Sequence, residues 1–135
     1  ALAWAESVGG IDAMIARSDR NAQVVADWVE CTPWVDFLAV EEQTRSNTSV
    51  CLLVVDAAIS SRPLEEQAAF SGKIVKLIEK EGVAFDIGAY RDAPPGLRLW
   101  CGATVETGDL EALLPWLDWA FATLRSELAA STQAA

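Results

Sequence analysis

Two arginines, Arg91 and Arg98, flank the run Pro94-Pro95-Gly96 in a chain with 20 acidic and only 10 basic residues, a net charge of −10. Guanidinium groups meet carboxylates and phosphates through paired hydrogen bonds. Two of them on a stiff turn therefore suit a small, doubly anionic molecule. The prolines fix backbone torsions and hold the turn at little entropic cost. Gly96 allows close backbone approach at the start of the next strand. Arg98 alternates with Leu97 and Leu99, so it shares a strand face with Trp100, which can shield an ion pair from water. Salt bridges to Asp86, Asp92 or Glu106 would satisfy the same arginines, and the residues alone leave both readings open.

Other chemistries are harder to build. There is no histidine, which removes imidazole acid–base work, Ser-His and Cys-His pairs, and the commonest metal ligand. Cys31, Cys51 and Cys101 are odd in number, form no Cys-x-x-Cys pair and lie in apolar surroundings. They read as reduced core thiols of a cytoplasmic protein. Lys73, Lys76 and Lys80 recur at about one-turn spacing among Glu66, Glu79 and Glu81, as on a solvated helix face. Asp86 and Asp92 read as turn or pairing residues, Asn47 and Thr48 as turn residues, and Glu41-Glu42 as a solvated corner. No residue is assigned as catalytic, cofactor-binding or metal-ligating.

The acidic balance argues against nucleic acid, since no basic stripe exists to displace counterions. No apolar run reaches about 18 residues and no basic, apolar leader is visible, so neither a membrane span nor a signal peptide is expected. The chain starts at Ala1 without methionine and already looks helical there; it reads as a fragment or processed piece.

With 135 residues, 52 % of them hydrophobic, the chain is read as one domain over residues 1–135. Ile11, Met14, Ile15, Ser18, Ala22, Val25 and Val29 keep helical spacing and predict a helix over 12–30, between Gly9-Gly10 and Thr32-Pro33. Strands are expected over 37–40 and 49–56, the second apolar on both faces and so central and doubly covered. Pro63 opens a helix with an inward stripe of Phe70, Ile74, Leu77 and Ile78, ended by Gly82. Phe85 and Ile87 suggest a third strand; Leu97, Leu99 and Cys101 a fourth. A last helix starts near 107–109, with Pro115 expected to kink or split it and residues 130–135 to fray. The order predicts an α+β fold: two layers, with helices packed on a small, mainly antiparallel sheet.

That layout leaves apolar surface uncovered. Trp116 and Trp119 fall beside the leucine stripe of the last helix, and the central strand wants cover on both faces. Either the strand order or helix packing differs from this layout, or a partner domain or subunit supplies the cover.

The residues also carry a resemblance that spans essentially the whole chain. Arg45-Ser46-Asn47-Thr48-Ser49-Val50, Tyr90-Arg91 followed by Gly96-Leu97-Arg98, and Asp109-Leu110-Glu111-Ala112-Leu113 resemble, in order and spacing, the C-terminal small domain of the phosphoserine aminotransferases. These are class V, fold-type I pyridoxal-phosphate enzymes. TPWVDFLAV and GLRLWCGATVE look most like a bacterial branch. The resemblance implies an enzyme that transfers an amino group between glutamate and 3-phosphohydroxypyruvate in serine biosynthesis, acts as a homodimer, and holds pyridoxal phosphate mainly through a large domain of the same chain. It implies that Arg98 pairs with the substrate α-carboxylate and that Arg91 helps bind its phosphate. Tyr90 stands where the family usually has histidine, and the turn between the arginines is one residue longer; both put the phosphate contact in question. The Schiff-base lysine lies in the family's large domain, so this piece alone is expected to be inactive. Two other readings stay open: the small domain of a serine–pyruvate or alanine–glyoxylate type aminotransferase, and a non-catalytic amino-acid-binding or interaction module.

Overall fold

The alternation of Ser49–Val54 becomes strand β2, the centre of an antiparallel sheet, in a computed structural model that describes residues 1–133. β1 (Val35–Phe37) lies on one side of β2, and β3 (Leu97–Trp100) on the other. The register sets Val50 opposite Leu99 and Leu52 opposite Leu97. Side chains alternate across a strand, so these four share one face with Val54, and all are buried. The other face of β2 carries Ser49, Cys51 and Leu53, each only half-buried. The expected second cover of the central strand is therefore incomplete within this chain.

Three long helices supply the second layer. They are α2 (Gly10–Cys31), α4 (Leu64–Lys80) and α5 (Thr107–Gln133). Two short ones, α1 (Leu2–Ser7) and α3 (Ala57–Ser60), precede α2 and α4. The α+β two-layer reading holds. α3 was not legible as a helix: it has four residues and is nucleated by Asp56, whose side chain accepts from the Ala58 N–H as an N-cap. Pro63 consequently caps α4 rather than filling its first turn. α4 ends in a reciprocal backbone pair, Val83 N–H to Ile78 O and Gly82 N–H to Glu79 O. Gly82 takes φ +69° there, a conformation that costs glycine little.

Four expectations need correction. The predicted third strand around Phe85 and Ile87 is reduced to a single bridge, Gly88 opposite Leu97. Asp86 adopts a left-handed backbone, φ +56°, which breaks the run; Ile87 is buried but Phe85 is exposed. The first strand lies at Val35–Phe37 instead of 37–40, and Val40 is exposed. In α2 the apolar stripe buries only its C-terminal half: Ser18, Asn21, Val25 and Val29 are inside, whereas Ile11 and Ile15 are exposed. Finally, Pro115 does not split α5, which runs unbroken past it. Pro costs about 3 kcal/mol in a helix interior. Burial of Leu110, Leu113, Leu114, Leu117 and Leu124, each worth about 1.5–3 kcal/mol, outweighs that. α5 runs through Gln133, and the tail expected to fray, 130–135, extends into residues 134–135, which lie outside the described residues.

The aromatic load divides in two. Trp34 stacks on Phe121 at 4.5 Å, and Trp28 packs edge-on against Trp34. Both indole N–H groups donate to one carboxylate, Asp118, at 3.1 and 2.8 Å. Trp116 and Trp119, expected beside the leucine stripe of α5, are exposed there and form an edge-to-face pair. Among the described residues no helix is long and apolar enough to cross a membrane.

Candidate functional site

β3 places Arg98 by two devices. Its N-terminal neighbour Gly96 crosses β2 so closely that an added Cβ would sit 2.0 Å from the Leu52 carbonyl oxygen. This is the close approach the sequence suggested. Beyond β3, the chain turns through residues 101–106 into α5, and that turn is tied down by α2. Asn21, fully buried, donates through Nδ2 to the carbonyls of Cys101, Gly102 and Val105, and its Oδ1 accepts from Thr107. One turn earlier, Arg17 donates to the Ala103 carbonyl and pairs with Glu106 at 2.6 Å. The sequence reading missed both. The signal was present: Asn21 lies one turn from Ser18 and from Val25 on the face that is buried, and a buried polar side chain requires partners.

The Arg98 side chain is largely buried at 15 % exposure. Its Nη2 donates to the Asp86 carbonyl oxygen at 3.1 Å and to Asp86 Oδ2 at 2.9 Å. The guanidinium lies over the Tyr90 ring, 4.6 Å from its centroid. Its Nε is buried and has no hydrogen-bond partner among the described residues. The hydrogen bond that Arg98 donates to Asp86 raises the Arg98 pKa, against the opposing pull of burial, so the side chain is a fixed cation. Asp86, Arg98 and Trp100 line a cleft of about 410 Å³ at the edge of β3, floored by Leu110 and Leu113. The expected cover by Trp100 is not what occurs. Its indole folds back over Gly102, where a Cβ would come within 2.4 Å of the ring, and Tyr90 covers the guanidinium instead.

Arg91 is exposed and makes no hydrogen bond or ion pair with the described residues. It lines a second cavity, of about 420 Å³, with Tyr90, Lys76, Ser71 and Gly96. The structure therefore does not bring the two arginines into one cavity. Tyr90 stands between them, contacting Arg98 while lining the Arg91 side; its hydroxyl lies 3.4 Å from Ser49 Oγ. Arg45 is committed to its own loop, donating to the Ala39 and Val40 carbonyls and covering the Phe37 ring at 4.0 Å. Ser46, not Asn47, satisfies the turn backbone before β2, and Asn47 bonds Asp19. Lys73, Lys76 and Lys80 are exposed on α4, and none lines the Arg98 cleft. Of the cysteines only Cys101 is a core thiol, its pKa pushed up to about 11 by burial; Cys51 is half-buried and Cys31 is exposed, against expectation.

This fold occurs as one part of the longer chains of solved aminotransferase structures. Specifically, the sheet and helices match the small domain of phosphoserine aminotransferase structures. The enzyme from Bacillus circulans subsp. alkalophilus superposes with a TM-score of 0.70 at 20 % identity, over 93 % of this chain and 30 % of that one. A pyridoxal-phosphate-bound phosphoserine aminotransferase from Trichomonas vaginalis superposes with a TM-score of 0.67 at 19 % identity, over 86 % and 30 %. In sequence, the chain is 47 % identical over 120 residues to a phosphoserine aminotransferase of Methanosarcina mazei and 48 % identical to that of Methanosarcina barkeri. Each match covers 89 % of this chain and 30 % of the relative. No protein-family model matches the chain. Across 89 % of its length the chain is thus related to phosphoserine aminotransferase, and it spans 30 % of the length of the relatives it matches.

Proposed function

We propose that this chain is the C-terminal small domain of a phosphoserine aminotransferase, and that the whole protein moves an amino group between glutamate and 3-phosphohydroxypyruvate in serine biosynthesis. The identity of 47 % over 120 residues to the Methanosarcina mazei protein carries the reading. In it, Arg98 binds the substrate α-carboxylate, Arg91 its phosphate, and Tyr90 donates a hydrogen bond to a phosphate oxygen. A buried cation with a free Nε, lining a cleft, supports the first role. An unpaired guanidinium supports the second. A dianion that engages both must reach across Tyr90.

Pyridoxal phosphate, when bound, supplies the carbonyl that carries the amino group between the two substrates. The residues of this chain do not fit its site: the three lysines are exposed on α4 and lie outside the Arg98 cleft. We therefore assign the cofactor to a large domain of the full-length protein and the amino-group chemistry to residues there. This chain contributes binding and orientation of the substrate anions, and alone it is inactive. The exposed Trp116–Trp119 pair and the half-covered face of β2 support further protein packing on this domain; on this reading the full-length protein is a cytoplasmic homodimer.

The test is kcat/KM of the full-length, cofactor-loaded protein for phosphoserine against serine and alanine. Phosphoserine is expected to win. Preference for serine or alanine would instead assign the chain to a serine–pyruvate or alanine–glyoxylate type enzyme. In the same assay, Arg98→Ala should raise KM by roughly tenfold to a hundredfold, the loss of a charge-assisted pair. An unchanged KM removes Arg98 from the site.

A further inference from the structure

We propose that Asp86 is a specificity-determining residue: its carboxylate occupies Arg98 in the empty domain, and an incoming substrate carboxylate must displace it. The inference rests on the assignment of Arg98 to the substrate carboxylate and adds what that carboxylate competes against.

Four observations carry it. The Asp86 side chain contacts Arg98 through Nη2 alone, leaving Nε buried and unpartnered. A planar carboxylate engages Nε and an Nη together, so Asp86 holds the position incompletely and a better-placed carboxylate can replace it. The partners are also unequal: the Asp86 side chain is 90 % exposed and the Arg98 side chain 15 % exposed. The acid can swing into water while the cation stays fixed on β3. Asp86 stands outside any strand in a left-handed conformation, with the nearest ladder contact at Gly88. Both residues line the same cleft, of about 410 Å³. The exchange trades one carboxylate for another, so the charge around Arg98 is unchanged when the substrate binds. A ligand without a carboxylate cannot replace Asp86. A ligand whose only anchor is a carboxylate gains little over it. The same penalty falls on every carboxylate ligand, so one held by its carboxylate alone is left with little net affinity, while one with a second anchoring group keeps enough to bind.

The experiment uses the full-length, cofactor-loaded protein and its Asp86→Asn, Asp86→Glu and Arg98→Ala variants. It measures KM and kcat for glutamate and inhibition by propionate and glutarate. Asn keeps the size and removes the competing charge. Asp86→Asn should lower KM for glutamate and both inhibition constants about two- to fivefold, the worth of a solvent-exposed ion pair, with kcat little changed. Asp86→Glu should restore values near the parent. If Asp86→Asn raises KM or leaves it unchanged while Arg98→Ala raises it tenfold or more, Asp86 only orients the arginine and the inference falls alone. If Arg98→Ala changes nothing, the assignment of Arg98 falls, and the inference with it. A urea midpoint for each variant separates these outcomes from loss of the fold.

Discussion

Replacing Gly96 with alanine tests the claim that β3 is pressed onto the central strand by backbone contact. The new Cβ would lie 2.0 Å from the Leu52 carbonyl oxygen and 3.1 Å from its carbon. Both are main-chain atoms of a residue that is 1 % exposed, so no rotamer change relieves the overlap. The chain must retreat by more than 1 Å, which strains the pairing of Leu97 with Leu52 and of Arg98 with Cys51. Overpacking costs about 1–3 kcal/mol, and each weakened ladder bond adds about 1 kcal/mol. The expected loss is about 3 kcal/mol, or roughly 10 °C in Tm. Gly72→Ala is the internal control. It lies within α4 with nothing inside 4 Å of the new methyl, so it should stabilise by about 0.5–1 kcal/mol. Urea unfolding reads both, as a change in midpoint at constant m. A Gly96→Ala midpoint within error of the parent would refute the close approach, and with it the account of how Arg98 is positioned.

Asn21→Leu removes the donor shared by three turn carbonyls and the acceptor for Thr107; a loss of about 2–4 kcal/mol in urea is expected, because buried polar groups are left unpaired. Asp118→Ala strips the acceptor from Trp28 and Trp34 and should cost about 1–3 kcal/mol, with a changed near-ultraviolet circular dichroism signal from the two indoles. At pH 8 a thiol reagent should modify exposed Cys31 first and spare Cys101 until the protein unfolds, as mass spectrometry would report. Because burial raises the Cys101 pKa from 9.0 to about 11, the folded state keeps a proton that the unfolded state has lost. The stability tied to that thiol is therefore intact below pH 9, declines between 9 and 11, and is gone above. A stability that rises with pH across that window would contradict the burial.

Much of the fold was legible because periodicity reports burial directly. Val50, Leu52, Leu97 and Leu99 alternate and are inside; Phe70, Ile74 and Ile78 repeat at helical spacing and are inside. Periodicity failed where one residue overrode its neighbours. Asp86 turned left-handed and ended a strand that Phe85 and Ile87 suggested. Pro115 was held helical by leucines on either side of it. At the candidate site, Arg98 and the role of Gly96 in close approach were readable from type and spacing, whereas Tyr90 was singled out only through the family resemblance. The choice of Tyr90 over Trp100 as the guanidinium's cover was not, because it depends on how the Trp100 ring folds over Gly102. The separation of Arg91 from Arg98 was equally hidden, since it depends on the path of residues 88–96 against α4.

Arg98 sits on a strand joined to β2 by four residue pairs, while the segment bearing Asp86 and Tyr90 meets that strand through one bridge. Sequence drift at the exposed positions Asp86 and Tyr90, with Ile87 between them kept in the core, can reshape what surrounds the guanidinium without unsettling the hydrophobic interior. On the proposed function, ligand preference and thermal robustness are therefore separable traits in this domain, open to change one at a time.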